Sequence, residues 1–474
     1  MKTHFFNNIS KSLFFYFLFT ISFSPLFATN IQNTINLGHT KSSFQYTPSI
    51  NGKITKGKIV LASLQLEEIK TNNGNFTQIS IPGFHKSKEE GFPQLPQINK
   101  IIEISGEEMP VINIIKMEET EIKLKNHGFL YPVYPVQASI SKSSNNVVRA
   151  LIQDTPVYSA NKFYRPNSKI TIEKLGQMRS KEFALLRISP ISYNPVSGAI
   201  KIIHTIEFEI IESNKHSIKN STYSQAFNHL YERILKREIY SDPAPAHKGI
   251  YLIISPEKYI SALEPFIQWK KQMGYLVDLH RFEDLDTSNY AVKDFISEAY
   301  HTADINNLAP EYILLVGDHE DIPAFEGKTE NHITDLPFAE VTDDYLPDMF
   351  IGRFPVNTVS QLQFILEKTM SYEKGKFSDA NYLNNIMLIA GWDNSDYNFH
   401  LSHSAPTMEY GIQNYFNSDW GYSSVNYFLA EKSYTVNPMS IINTINSGVG
   451  FINYSGHGTV LSWYNPRVSD RDIS

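Results

Sequence analysis

The residue with the clearest chemical potential in this chain is His457, set between Gly456 and Gly458 at the end of the apolar run Gly450-Phe451-Ile452-Asn453-Tyr454-Ser455. An imidazole titrates near neutrality, so a histidine placed there can act as general base or general acid. Flanking glycines let the backbone turn sharply and approach a substrate closely. The Gly458 amide can then point at a developing oxyanion. A histidine in a plain surface turn, with glycines serving only the turn, explains the local pattern equally well. No cysteine occurs in the 474 residues. This stretch therefore holds no thiol nucleophile, disulfide framework or thiolate metal site.

Two acidic groups invite other chemistry. The cluster Asp343-Asp344-Tyr345-Leu346-Pro347-Asp348 has the oxygen ligands that a structural calcium ion takes, without the spacing of an EF-hand loop. A solvated acidic loop is the expectation we carry forward, and no cofactor is required. Asp318, His319, Glu320 and Asp321 resemble a metal-binding set, but His319 lacks a second histidine at helical spacing. Asp318 at a strand end is expected to cap the following turn.

The elements that would position His457 fall into two contrasting halves. From about Thr29 to Ile210 the pattern is mostly period two, with strands expected over Ile59–Leu66, Phe76–Ile81 and Ile202–Ile210. Pro82-Gly83, Asn194-Pro195 and Ser197-Gly198 supply turns between them. This half reads as an all-β unit, a β-sandwich. Tyr223 to Arg237 looks helical, and Ser241-Asp242-Pro243-Ala244-Pro245-Ala246 reads as a linker, with basic residues near it at Lys236, Arg237 and Lys248. From Gly249 onward strands and helices alternate. Pro256 opens a helix that Gly274 closes, and the last strand is Gly448 to Tyr454. Repeated β-α-β units imply a mostly parallel sheet with helices on both faces.

The boundaries expected are a signal peptide over 1–28, a mostly β unit over 29–240, a linker over 241–248, and an α/β unit over 249–474. Lys2 and Lys11, the apolar run Leu13 to Phe23 and the small residue Ala28 carry the export reading, and hence a secreted or cell-surface location. No later stretch reaches membrane-spanning length, so no transmembrane span is expected after signal removal. Apolar residues make up 42% and charged residues 19%, which suits globular folding. The net charge of −7 gives no basic footprint for a nucleic-acid partner.

Several segments, taken in order, resemble the gingipain family of cysteine peptidases. Asn453-Tyr454-Ser455-Gly456-His457-Gly458-Thr459, followed by Trp463, is similar to the family's catalytic-histidine segment. Leu315-Val316-Gly317-Asp318-His319-Glu320-Asp321-Ile322-Pro323 and Phe350-Ile351-Gly352-Arg353-Phe354 resemble its earlier signatures. In the first half, Ile81-Pro82-Gly83, Gly91-Phe92-Pro93-Gln94-Leu95-Pro96 and Ile188-Ser189-Pro190 resemble the gingipain propeptide.

The resemblance implies a caspase-like α/β domain behind a propeptide that acts as its intramolecular inhibitor, with proteins or peptides as substrates. It implies that His457 handles the proton, that Gly458 contributes to the oxyanion site, and that Asp393 orients the histidine. Asp393 stands where the family pattern has Glu. Arginine-specific members carry a substrate-pairing Asp further on, but His400 to Pro406 offers no carboxylate, so that specificity is not transferred. The family's cysteine should follow the histidine by one helix and one strand. Seventeen residues follow His457, and Ser469 to Ser474 look like the opening of that helix. The expectation is a cysteine endopeptidase precursor whose α/β domain is incomplete here, with the nucleophile beyond Ser474. A sortase-like transpeptidase and a non-catalytic surface protein on the same fold are the alternatives.

Overall fold

The computed structural model describes residues 32–48, 54–104, 108–138, 150–179, 181–212, 224–235, 247–304, 308–328, 332–392, 404–431 and 436–472. The expected export signal, most of the linker, Asp393 and His400 to His403 lie outside the described residues.

The first half is built from antiparallel strands: β1 (Gln32–Asn36), β2 (Ser43–Pro48), β3 (Ile54–Val60), β4 (Ser63–Thr71), β5 (Gly74–Ser80), β6 (His85–Lys86), β7 (Pro96–Ile104), β8 (Val111–Lys123), β9 (Ile170–Met178), β10 (Lys181–Ile188), β11 (Ile191–Asn194) and β12 (Ala199–Ile211). Two helices accompany them, the short α1 (Thr155–Ser159) and α2 (Gln225–Leu235). The ladders run β1-β4-β5, β6-β7-β10-β9 and β11-β12-β3-β2, with β8 also on β12. Alternation drives this, because every second side chain of a strand faces the same side. In β3, for example, Thr55, Gly57 and Ile59 turn inward. Leu64, Leu66, Ile79, Ile102, Leu186 and Ile206, drawn from all three ladders, meet in one core. The single strand expected over Ile59–Leu66 is two strands. The chain breaks at Leu61-Ala62, where Leu61 N–H donates to the His204 carbonyl outside the ladder.

The second half alternates as expected: β13 (Ile250–Ser255), α3 (Glu257–Gln272), β14 (Leu276–Arg281), α4 (Asn289–His301), β15 (Pro310–Val316), the short β16 (Phe325–Glu326) and β17 (Ile333–Thr334), α5 (Leu336–Ala339), β18 (Phe350–Phe354), α6 (Val359–Glu373), β19 (Asn385–Ala390), α7 (Ala405–Asn414), β20 (Ser424–Leu429), α8 (Pro438–Asn446) and β21 (Phe451–Ser455). Local chemistry sets several boundaries. Gly274, at φ 95°, takes the left-handed conformation that ends α3. Thr358 and Gln361 form a reciprocal capping box at the start of α6.

Among the described residues these strands form two parallel ladders rather than one sheet: β14-β13-β15-β18 and β20-β19-β21. Both carry helices on both faces, while β21 stays exposed over residues 451–453. Leu252, Ile254, Ile313 and Leu315 pack on α4. Ile253, Leu314 and Val316 pack on α3 and α6. In the second ladder, Met387 and Ile389 face α8, while Ile386, Leu388 and Ala390 face α7. Where a helix is expected to open at Ser469, the described residues form a 3-10 turn, Asp470–Asp472.

The acidic cluster departs from expectation. It is not a solvated loop: Asp348 is wholly buried and Asp344 half-buried. Asp348 Oδ1 accepts from Arg179 N–H at 2.7 Å, and its Oδ2 accepts from Thr342 Oγ1 at 3.0 Å. Asp344 accepts from the Gln177 amide. Each carboxylate thus takes one donor from the β unit, Arg179 or Gln177, beside its local ones, and local sequence does not reveal that partner.

Candidate active site

Strand β19 is the spine of the site. Its six residues are apolar apart from Asn385, and Ile386 to Ala390 are buried. It therefore reads as a strand covered on both faces, with neighbours running parallel on each side. Ala390 stands opposite Ser455, so the carboxyl ends of β19 and β21 are level. One further bond, Gly391 N–H to the Ser455 carbonyl at 2.8 Å, carries the pairing past the strand ends. Ser404 Oγ, at the start of α7, donates to the same carbonyl at 3.2 Å. Functional groups in open α/β sheets gather at such carboxyl ends.

His457 lies two residues beyond β21, half-buried at this rim. Its loop is stitched to the sheet by Tyr454, whose hydroxyl donates to the His457 carbonyl at 2.7 Å. The Tyr454 ring stacks on Trp463, with centroids 4.6 Å apart and planes 7° apart. Tyr464 N–H donates to the His457 carbonyl at 2.8 Å, and its ring meets the imidazole edge-on at 6.2 Å. Thr459 N–H donates to Ser462 O at 2.7 Å. These two backbone bonds flank the pair Gly458 and Trp463, which is therefore a non-hydrogen-bonded pair of a small antiparallel hairpin. In that geometry the Gly458 N–H points away from Trp463 and off the hairpin. Gly458 is exposed, and an added Cβ would meet only Ser462 O, at 3.8 Å.

The loop after β19 comes to the same place. Asn465 Nδ2 donates to the Trp392 carbonyl at 2.9 Å, joining the histidine hairpin to the residue just before Asp393. A Cβ on Gly391 would sit 2.5 Å from the Asn465 carbonyl and 3.1 Å from that of Ser455. Only glycine lets the two loops close this far. Sequence reasoning gave no role to Tyr454 or Asn465. The available signal was an aromatic pair, Tyr454 and Trp463, bracketing a glycine-flanked histidine. Asp393 itself lies outside the described residues, while His457 and Gly458 are adjacent on one exposed turn.

The other acidic group sits elsewhere, after β15 in the first ladder. Asp318 Oδ1 lies 3.1 Å from His319 Nδ1, and Glu320 lies 3.3 Å from the same nitrogen. The His319 backbone N–H donates to Asp318 and holds its carboxyl below the usual range. The turn that follows is closed by the Asp318 backbone carbonyl, which accepts from Asp321 and Ile322, while its carboxylate takes the adjacent His319 N–H. Exposed groups of this kind are common without an ion.

Comparison with known proteins gives the family. The model of Peptidase family C25 matches residues 244–474, and the C25 propeptide model matches residues 42–237. Lys-gingipain W83 of Porphyromonas gingivalis is 30% identical over 423 residues, 86% of this chain and 24% of that protein. Gingipain R2 of Porphyromonas gingivalis (strain ATCC BAA-308 / W83) is 25% identical over 438 residues, 88% of this chain and 55% of that protein. The chain thus spans about a quarter of the length of the first relative and about half of the second. A solved structure bearing on the zymogenic latency of gingipain K from Porphyromonas gingivalis is 25% identical, covers 39% of this chain and 100% of that one, and has a TM-score of 0.36. Two family models in consecutive order, covering the chain from residue 42 to its last residue but for 238–243, give the assignment: the chain belongs to the gingipain family of cysteine peptidases, Peptidase family C25, and carries that family's propeptide ahead of its peptidase domain.

Proposed function

We propose that this chain is the propeptide and histidine-bearing part of a secreted cysteine endopeptidase, with a β-sandwich propeptide over 29–240, a linker over 241–248 and a caspase-like domain from 249. His457 is the general base and acid, the Gly458 amide holds the oxyanion, and Asp393 orients the imidazole. The single observation that carries this reading is the rim geometry. His457 follows the carboxyl end of β21, an edge strand of its ladder among the described residues, and the neighbouring Gly458 N–H points off the hairpin.

The 474 residues hold no cysteine, and this reading requires a thiol supplied from outside them. A further parallel strand beside β21 would bring a cysteine at its end up to His457. The thiolate then attacks the scissile carbonyl, and the imidazolium returns its proton to the leaving amine. Carbonyl oxygen charge is met by the preorganised amide.

The test uses the reading frame followed past Ser474, expressed and assayed on a protein substrate. His457→Ala is expected to lower kcat/KM by at least about 1,000-fold, and thiol alkylation to abolish activity. Full activity in the alanine variant, or cleavage indifferent to alkylation, would overturn the assignment.

A further inference from the structure

The two halves meet at an arginine. Arg179 follows β9 in the N-terminal unit, in a left-handed conformation (φ 54°), and is 1% exposed. Its guanidinium enters the α/β unit. Nη1 donates to the Pro310 carbonyl at 2.7 Å and the Asp348 carbonyl at 3.1 Å, and Nη2 donates to the Ala309 carbonyl at 3.1 Å. Two aromatic rings lie against it, Phe227 from α2 at 5.6 Å and Tyr300 from α4 at 5.7 Å. Around it, Met178, Phe183 and Tyr231 pack with Leu346 and Phe350 across the boundary.

The address of this socket matters. Ala309 and Pro310 stand where β15 begins, and Asp348 stands just before β18. Both are amino ends of parallel strands, the opposite end from the one where reacting groups collect. A planar fork gripping three carbonyls is a geometry that arginine supplies and lysine does not. Buried arginines ringed by aromatics are also the residues on which interface affinity concentrates.

We propose that Arg179 is the hot spot that keeps the N-terminal unit docked on the α/β unit after the connecting chain is cut, by filling a guanidinium socket at the amino ends of β15 and β18. This rests on reading the N-terminal unit as the propeptide. It separates holding the propeptide from blocking the reactive rim: the anchor is at the amino ends of β15 and β18, whereas His457 follows the carboxyl end of β21 in the other ladder.

The experiment takes the full chain with a site-specific protease sequence placed within residues 241–246. Folding is checked by circular dichroism, the chain is cut, and the fragments are followed by size exclusion and titration. Wild-type fragments are expected to co-elute. Arg179→Ala, which strands buried carbonyls without a donor, is expected to raise Kd by about 100-fold or more. Arg179→Lys keeps the charge but not the fork, with about a 10-fold rise expected, and it decides the matter if the alanine variant does not fold. Unchanged Kd in the folded variants overturns this proposal and leaves the propeptide reading standing. Wild-type fragments that part on cutting overturn it as well, while the family match of the N-terminal unit, which rests on sequence, stands.

Discussion

The residue that governs the histidine loop is Tyr454. Its hydroxyl is the side-chain donor tying the His457 carbonyl back onto β21, while Tyr464 N–H approaches that carbonyl from the hairpin side. Removing a donor from a carbonyl that keeps another costs the net value of a hydrogen bond rather than a full desolvation penalty. Tyr454→Phe should therefore destabilise the chain by about 1 kcal/mol, with the stacking on Trp463 retained. Urea unfolding followed by tryptophan fluorescence checks this, and no change in midpoint would show that the hydroxyl contributes nothing. Gly391 acts by having no side chain. Its missing Cβ is the space through which the Asn465 carbonyl approaches.

At the scale of elements, β19 decides whether there is a rim at all. Its side chains alternate between two helical layers, Ile389 toward α8 and Leu388 toward α7. Ile389 is fully buried. Truncating it leaves a cavity between sheet and helix that rigid neighbours fill only in part. Ile389→Ala is expected to lower stability by about 2–5 kcal/mol, measured by chemical denaturation with a probe in the α/β unit. A loss below about 1 kcal/mol would mean that the layer collapses onto the gap or that the strand is less confined than its burial implies. The consequence for chemistry is indirect: Ser455 is registered on Ala390, and the histidine turn inherits its position from that register.

For the whole molecule, the boundary between the units is a place where charge is buried. Glu311 is 3% exposed, and its Oε1 has no hydrogen-bonding partner among the described residues. Burial pushes its pKa up, against the pull of Arg179 and the hydrogen bond from Ser224. Burial likewise raises Asp348. A carboxyl with a raised folded-state pKa binds its proton more tightly folded than unfolded. Its contribution is complete below the ordinary carboxylate range and is lost as pH rises through the raised value. Mild acid should thus tighten this boundary rather than loosen it. Glu311→Gln is expected to melt higher than wild type at pH 7.5 and to show a flatter dependence of Tm between pH 4.5 and 7.5. Thermal melts at both pH values test the point, and parallel profiles for the two proteins would overturn it.

What the sequence determined by itself is the local content. Period-two runs became antiparallel strands, Pro256 and Gly274 bounded a helix, and the alternation after Gly249 became parallel β-α-β units. The turn that carries His457 and Gly458 was legible because glycines after an apolar run are a short-range pattern. The tertiary structure alone decided where the long-range partners fell. Asp344 and Asp348 read as a solvated loop because the donors that bury them against the first half, Gln177 and Arg179, lie about 170 residues earlier in the chain. The parallel strands divide into two ladders, and Asn465 reaches across to Trp392. Such contacts leave no periodic trace: they arise when two separately patterned surfaces are pressed together and each buried polar group must find a partner.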